Sequence, residues 1–135
     1  MAKSYSAQVD EFLLKSRRRM EYIARQSTND VFVMASRTAT AEGRGGAIKE
    51  GYVPRDTGFL AASAALDING STVGQGENVA DLVITAMSLG DTAVMRWTAV
   101  YASIVHARGW LWVDVAAASW QSIVRRNAER ARSMT

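Results

Sequence analysis

The chain has no cysteine, one proline and one histidine in 135 residues. Without cysteine there is no disulfide, no thiolate zinc site and no thiol nucleophile. The lone histidine, His106, can supply one imidazole but not a cluster of metal ligands. Long apolar runs are also missing. Stretches such as "LVITAMSLG" fall far short of the roughly 20 residues that a membrane span needs. The N-terminal "MAKSYSAQVDEFLLKSRRRM" has no apolar run of signal-peptide length. Neither secretion by such a signal nor contact with a membrane is expected.

The single proline, Pro54, opens "PRDTGFLAAS", which holds one Asp-Thr-Gly triplet at Asp56, Thr57 and Gly58. An acid protease needs two such carboxylates sharing one proton. One triplet supplies the second only by dimerising, and the expected flanking strands are absent. The simpler reading is structural: Asp56 caps, Gly58 allows a tight turn and Leu60 enters the core. Asp81, Asp91 and Asp114 lie at element boundaries and also look like caps. No two carboxylates are spaced as an acid–base pair, so no enzyme and no cofactor are expected. The run Gly43-Arg44-Gly45-Gly46 lacks the Gly-Lys-Ser/Thr ending of a phosphate-binding loop.

What is present is an ordinary globular composition, 48% apolar and 21% charged, in a chain that fits one domain spanning 1–135. The net charge is +3, and the excess is concentrated in two places. "KSRRRMEYIAR" (15–25) includes Arg17, Arg18 and Arg19, and "RRNAERAR" (125–132) includes Arg125 and Arg126. Such clusters are either solvated helix faces or contacts for an acidic partner, protein or DNA.

Periodicity predicts an N-terminal helix from Tyr5 to Arg25, with Val9, Phe12, Leu13, Met20, Ile23 and Ala24 on one stripe. Ser27 or Thr28 is a natural cap for a second short helix, unless the first simply continues. Val31 to Met34 reads as buried all round. Residues 38–52 and 70–80 read as flexible, glycine-rich loops. "SAALDIN" and "DLVITAM" read as two strands forming a long-looped hairpin. A helix begins between Asp91 and Thr98, carries Trp97, Tyr101 and Ile104, and ends at Gly109. A last helix covers Val113 to Arg132. The fold class is therefore α+β: an N-terminal helix or helical pair, a small antiparallel sheet and C-terminal helices packed on one face. Of the tryptophans, Trp120 is expected in the core and Trp110 or Trp112 at a partner surface.

"DTGFLAAS" resembles the Asp-Thr-Gly-x-Leu-x-x-Ser segment of small neck proteins of tailed bacteriophages, the tail-completion or head–tail joining family. In that family a hairpin follows, then a Tyr-Ala-x-x-Val-Glu/His-x-x-Gly motif. Here Tyr101-Ala102 precedes Val105-His106 and Gly109. The order matches over residues 5–132. "ARGWLWVD" departs from the family in lacking a proline before the last helix.

The resemblance implies a structural virion protein, assembled in the bacterial host cytoplasm. Its copies would form a ring, usually six-fold, between the connector and the tail tube. Its partners would be copies of itself and connector, stopper, tail-terminator or tail-tube proteins, with non-specific DNA contact through arginines. Motif and interface candidates are Asp56, Thr57, Gly58, Leu60, Tyr101, His106, Trp110 and Trp112. Candidate contacts for DNA or an acidic partner are Arg17, Arg18, Arg19, Arg125 and Arg126. A rival reading is a small basic nucleic-acid-binding module, favoured by an isoelectric point near 9.6. Against it, neither cluster is interleaved with base-reading side chains.

Overall fold

The computed structural model describes residues 4–40, 48–55 and 58–133. The first helix, α1, runs from Tyr5 to Ala35 without a break. The Ser4 hydroxyl caps it by accepting from the Ala7 N–H at 3.3 Å. At the other end the Ser36 hydroxyl donates to the Phe32 carbonyl at 2.7 Å, and Arg37 Nε donates to the Met34 carbonyl at 3.1 Å. The helix simply continues past Ser27 and Thr28, which are buried mid-helix rather than capping a second one. The Ser27 hydroxyl meets Asn127 near the C-terminus instead of a free helix end. Val31 to Met34 is not buried all round: Val31, Phe32 and Met34 are half-buried, and Val33 is exposed.

A short strand, β1 (Thr38–Thr40), pairs in parallel with β2 (Val53–Arg55). The 38–52 segment thus begins as a strand rather than a loop, and its glycine run at 43–46 lies outside the described residues. One helical turn, α2 (Phe59–Ala62), is entered through Gly58 at φ 83°. Asp56 and Thr57, the expected caps, lie outside the described residues.

The antiparallel sheet has the order β4-β3-β5, from β3 (Ala64–Ile68), β4 (Ser71–Gln75) and β5 (Ala93–Trp97). Two expectations fail here. The 70–80 segment is not a loose loop, because Asn69 and Gly70 both take positive φ and close a two-residue hairpin into β4. An Asn-Gly pair between strands is the usual signature of that turn. "DLVITAM" is not a strand either. Val79–Leu82 forms a 3-10 turn, and α3 (Val83–Ala86) follows. Val79, Ala80, Val83 and Met87 are buried together, a helical spacing that overrides the β-branched composition. The partner of β3 is β5, within the segment expected to start a helix. Its residues alternate exposed and half-buried from Ala93 to Trp97, the period of a strand with one face covered.

Helical structure resumes only at α4 (Ala102–Val105), which runs into a π-helical stretch, His106–Trp110. The last expected helix is two: α5 (Trp112–Ala118) and α6 (Trp120–Arg132), joined at Ser119. One apolar cluster gathers Leu66, Ile68, Val83 and Met87 beneath the sheet. Another gathers Val53, Leu60, Ala102, Trp110 and Trp112. On the outer face of the sheet, Arg96 donates to Asp67 at 2.9 Å and to the Thr72 hydroxyl, which donates to Asp67. The hydrogen bond from Arg96, then that from Thr72, holds the Asp67 carboxyl below its ordinary value.

The α1–α6 contact is locked by a buried polar group. Asn127 is fully buried, and its amide donates to the Ser27 hydroxyl at 3.2 Å and to Asp30 at 3.0 Å. Gln26 and Arg126 also donate to Asp30. Burial raises the Asp30 pKa, but the bonds from Asn127, Gln26 and Arg126 together outweigh it, and the net shift is downward. A carboxylate held below its unfolded value adds stability above that value, about 3.9. It loses that contribution as pH falls through the folded value. Asn127→Ala removes the bonds to Ser27 and to Asp30. We expect it to cost about 1–3 kcal/mol at pH 7. The acid-induced fall in stability below about pH 4 should also flatten. Urea denaturation at pH 7 and below pH 4, followed by circular dichroism, checks both.

Candidate functional site

The two motif segments meet in space. Leu60 is buried in the same cluster as Ala102, Trp110 and Trp112. Phe59, beside it, is exposed, and its ring lies 6.1 Å from that of Tyr101 at an interplanar angle of 30°. The Ser63 hydroxyl donates to the Leu60 carbonyl at 2.7 Å, closing the α2 turn. The Thr98 N–H donates to the Ser63 carbonyl at 2.9 Å, so the end of β5 is stapled to the first motif. In this chain the Leu-x-x-Ser spacing therefore shapes a turn and anchors a strand.

His106 is positioned by the π-helical stretch that Gly109, at φ 121°, permits. Leu111 then takes φ 42°, a strained value for a side-chain-bearing residue, and the chain turns sharply into α5. The turn brings the His106 ring edge-on to Trp112, with centroids 4.8 Å apart. Nε2 accepts from the Val113 N–H at 3.2 Å, so the imidazole caps the start of α5. Asp114 lies 3.9 Å from His106 on the exposed side. Among the described residues, no group of three or more His, Asp or Glu side chains is placed to hold a metal ion. Nor is any described helix long and apolar enough to cross a membrane.

The tryptophans are distributed opposite to expectation. Trp110 and Trp112 are buried, and Trp120 is 41% exposed. Trp112 is pinned by Trp97, whose ring lies 5.8 Å away edge-on, and by His106. Trp120 begins α6 and instead lines an apolar groove of about 450 Å³. Phe32 and Ala35 of α1, Met95 and Trp97 of β5, and Val113 and Ala117 of α5 form its other walls.

The two arginine clusters do not merge. Arg126 pairs with Asp30 at 3.0 Å, level with the C-terminal half of α1. Arg17, Arg18 and Arg19 lie at least 11 residues further back on that helix, about 16 Å along its axis. Arg17, Arg18 and Arg125 are exposed, and Arg19 is partly buried. Glu77, in the 70–80 segment, is paired with Arg55 of the same chain.

Ser27, Asp30 and Asn127 were not foreseen as a unit. The signal that locates two of them is a polar residue on an apolar stripe: Ser27 between Ala24 and Val31, and Asn127 between Ile123 and Ala131. Comparison with protein-family models, with curated proteins and with solved structures gave no match.

Proposed function

We propose that this chain is a structural protein of a tailed-bacteriophage neck, completing the tail and joining it to the head within a ring of identical copies. The observation that carries this reading is the ordered motif pair, "DTGFLAAS" followed by Tyr101-Ala102, Val105-His106 and Gly109. Support comes from their packing: Leu60, Ala102, Trp110 and Trp112 share one cluster, so both motifs build one rigid corner. Function here lies in presenting surfaces, with Phe59, Tyr101 and Trp120 exposed around that corner and the groove.

The nucleic-acid-binding alternative is weaker, because Arg126 is engaged by Asp30 and the basic clusters are separated. Exposed Arg17, Arg18 and Arg125 suit sequence-independent phosphate contact within a DNA channel. The deciding experiment is deletion of the gene from a phage that encodes this chain, with electron microscopy of the lysate. Filled heads and separate tails are expected, with joining restored by wild-type protein supplied in trans. Normal, infectious joined particles without the protein would rule the assignment out.

A further inference from the structure

An Asn-Gly step occurs once in the chain, at Asn69-Gly70. Asparagine is chemically labile. Its side-chain carbonyl carbon is open to attack by the backbone nitrogen of the next residue, and a side chain on that residue hinders the approach. Asn29, Asn78 and Asn127 are followed by Asp30, Val79 and Ala128, which carry such a shield. Gly70 does not. It is exposed, and no atom lies within 4 Å of where its Cβ would sit. The two residues form the tip of the β3–β4 hairpin, at φ 52° and 84°. A two-residue turn with positive φ at both positions favours Asn-Gly above other pairs. The turn thus selects the dipeptide that is chemically least durable.

What restrains the reaction is the far end of the asparagine side chain. Asn69 Oδ1 accepts from the Thr92 N–H at 2.9 Å, and Nδ2 donates to Asp91 Oδ1 at 2.9 Å. The Asn69 N–H donates to the Thr92 carbonyl at 2.8 Å. Asp91 is fixed in turn, because its Oδ2 accepts from the Ser88 N–H at 2.8 Å. The bond from Asn69, then that from Ser88, holds the Asp91 carboxyl below its ordinary value, so it is charged at neutral pH. Both polar atoms of the Asn69 amide are therefore gripped by the segment that leads into β5. Cγ cannot swing onto the Gly70 nitrogen until both bonds open. Asn69 and Thr92 are exposed, so this opening is local and needs no global unfolding.

We propose that Asn69 is a spontaneous modification site, kept unreacted by Asp91 and Thr92, whose conversion to a carboxylate loosens the hairpin tip from the entry to β5. In the first step the Gly70 nitrogen bonds to Asn69 Cγ. The Cγ–Nδ2 bond breaks, and ammonia leaves with the proton of the Gly70 amide. Water then opens the cyclic imide, giving aspartate from one carbonyl and isoaspartate from the other. No oxidant, reductant or cofactor enters. Either product undoes the grip. Aspartate puts an anionic oxygen where Nδ2 donated to Asp91, and attraction becomes like-charge repulsion. Isoaspartate adds a methylene to the backbone of a two-residue turn, which no longer matches the register of Ile68 with Ser71. Hydrolysis does not restore the amide, so the converted fraction records the time the turn has spent open. This inference stands apart from the neck reading.

The test follows purified full-length protein in mildly alkaline buffer, with mass spectrometry and chromatography of the peptide that contains residue 69. In folded wild type, conversion should be about tenfold or more slower than in the guanidinium-unfolded chain. Asp91→Ala removes the acceptor for Nδ2 and should raise the folded rate about three- to tenfold, the factor for one hydrogen bond that opening no longer has to break. Asn127→Ala, destabilised at the distant α1–α6 contact, should keep the wild-type rate at Asn69. Asn69→Asp, the aspartate product, should keep wild-type circular dichroism and melt several degrees lower. Folded wild type that converts as fast as the unfolded chain, or Asp91→Ala that converts no faster than wild type, would overturn the proposal. So would Asn127→Ala accelerated as much as Asp91→Ala, or Asn69→Asp that melts like wild type.

Discussion

Trp112→Ala should lower the unfolding free energy by about 3–5 kcal/mol, the range for deleting a buried aromatic side chain. Trp112 is 2% exposed at the centre of the cluster that holds both motif segments. Its ring meets Trp97 at 5.8 Å and His106 at 4.8 Å, both edge-on. Such aromatic pairs add stabilisation beyond the area they bury. Removing the indole leaves a cavity walled by residues of β2, α2 and α4, which are held by separate backbone connections and collapse only partly. The melting temperature should fall by more than about 10 °C. Trp120→Ala is the matched comparison. Trp120 is 41% exposed, so its loss should cost about 1 kcal/mol or less. Urea unfolding of the two variants measures the difference. Equal destabilisation by both would contradict the assignment of one tryptophan to the core and the other to the surface.

Gly51→Ala should be the second severe change, costing about 2–4 kcal/mol. Gly51 takes φ 90°, a conformation that costs a side-chain-bearing residue about 1–2 kcal/mol. A Cβ there would lie 2.9 Å from Val115 Cγ1 and 3.3 Å from Val115 Cβ. Valine is stiff about χ1, so the helix itself must shift, adding about 1–3 kcal/mol of overpacking. The Gly51 N–H also donates to the Trp110 carbonyl at 2.6 Å, tying the entry of β2 to the π-helical stretch. Gly70→Ala separates the two causes. Gly70 has a similar φ of 84°, but no atom lies within 4 Å of where its Cβ would sit. It should cost only the conformational part. Chemical denaturation at constant m-value measures both.

A pattern repeated over many residues was legible in the sequence; a pairing between distant segments was not. The α1 stripe, the burial of Leu60, the break at Gly109 and the α+β class all follow from spacing and local chemistry. "DLVITAM" misled because β-branched residues state a preference of about 1 kcal/mol, and burial of Val79 and Val83 on one face exceeds it. "AVMRW" misled in the opposite direction. Its tryptophan and valine suited a helix stripe, yet β3 exposed an edge that needed a partner, and β5 supplied it. The Asn69-Gly70 turn was readable and went unread as a hairpin. The fates of Trp110, Trp112 and Trp120 were not readable, since all three sit in one short segment of similar composition. Leu111, at φ 42°, turns the chain so that two of them face inward and the third lies beyond the next joint.

By itself the sequence determined that this protein has a small α+β core, a long amphipathic first helix, no thiol chemistry and two basic clusters. Those properties depend on residue type and on spacing within a turn or two of chain. Only the tertiary structure decided how far along α1 the apolar stripe is covered, and that Arg126 is spent on Asp30. Each of these is a statement about where one element ends relative to another, and that is set by long-range packing rather than by any local preference.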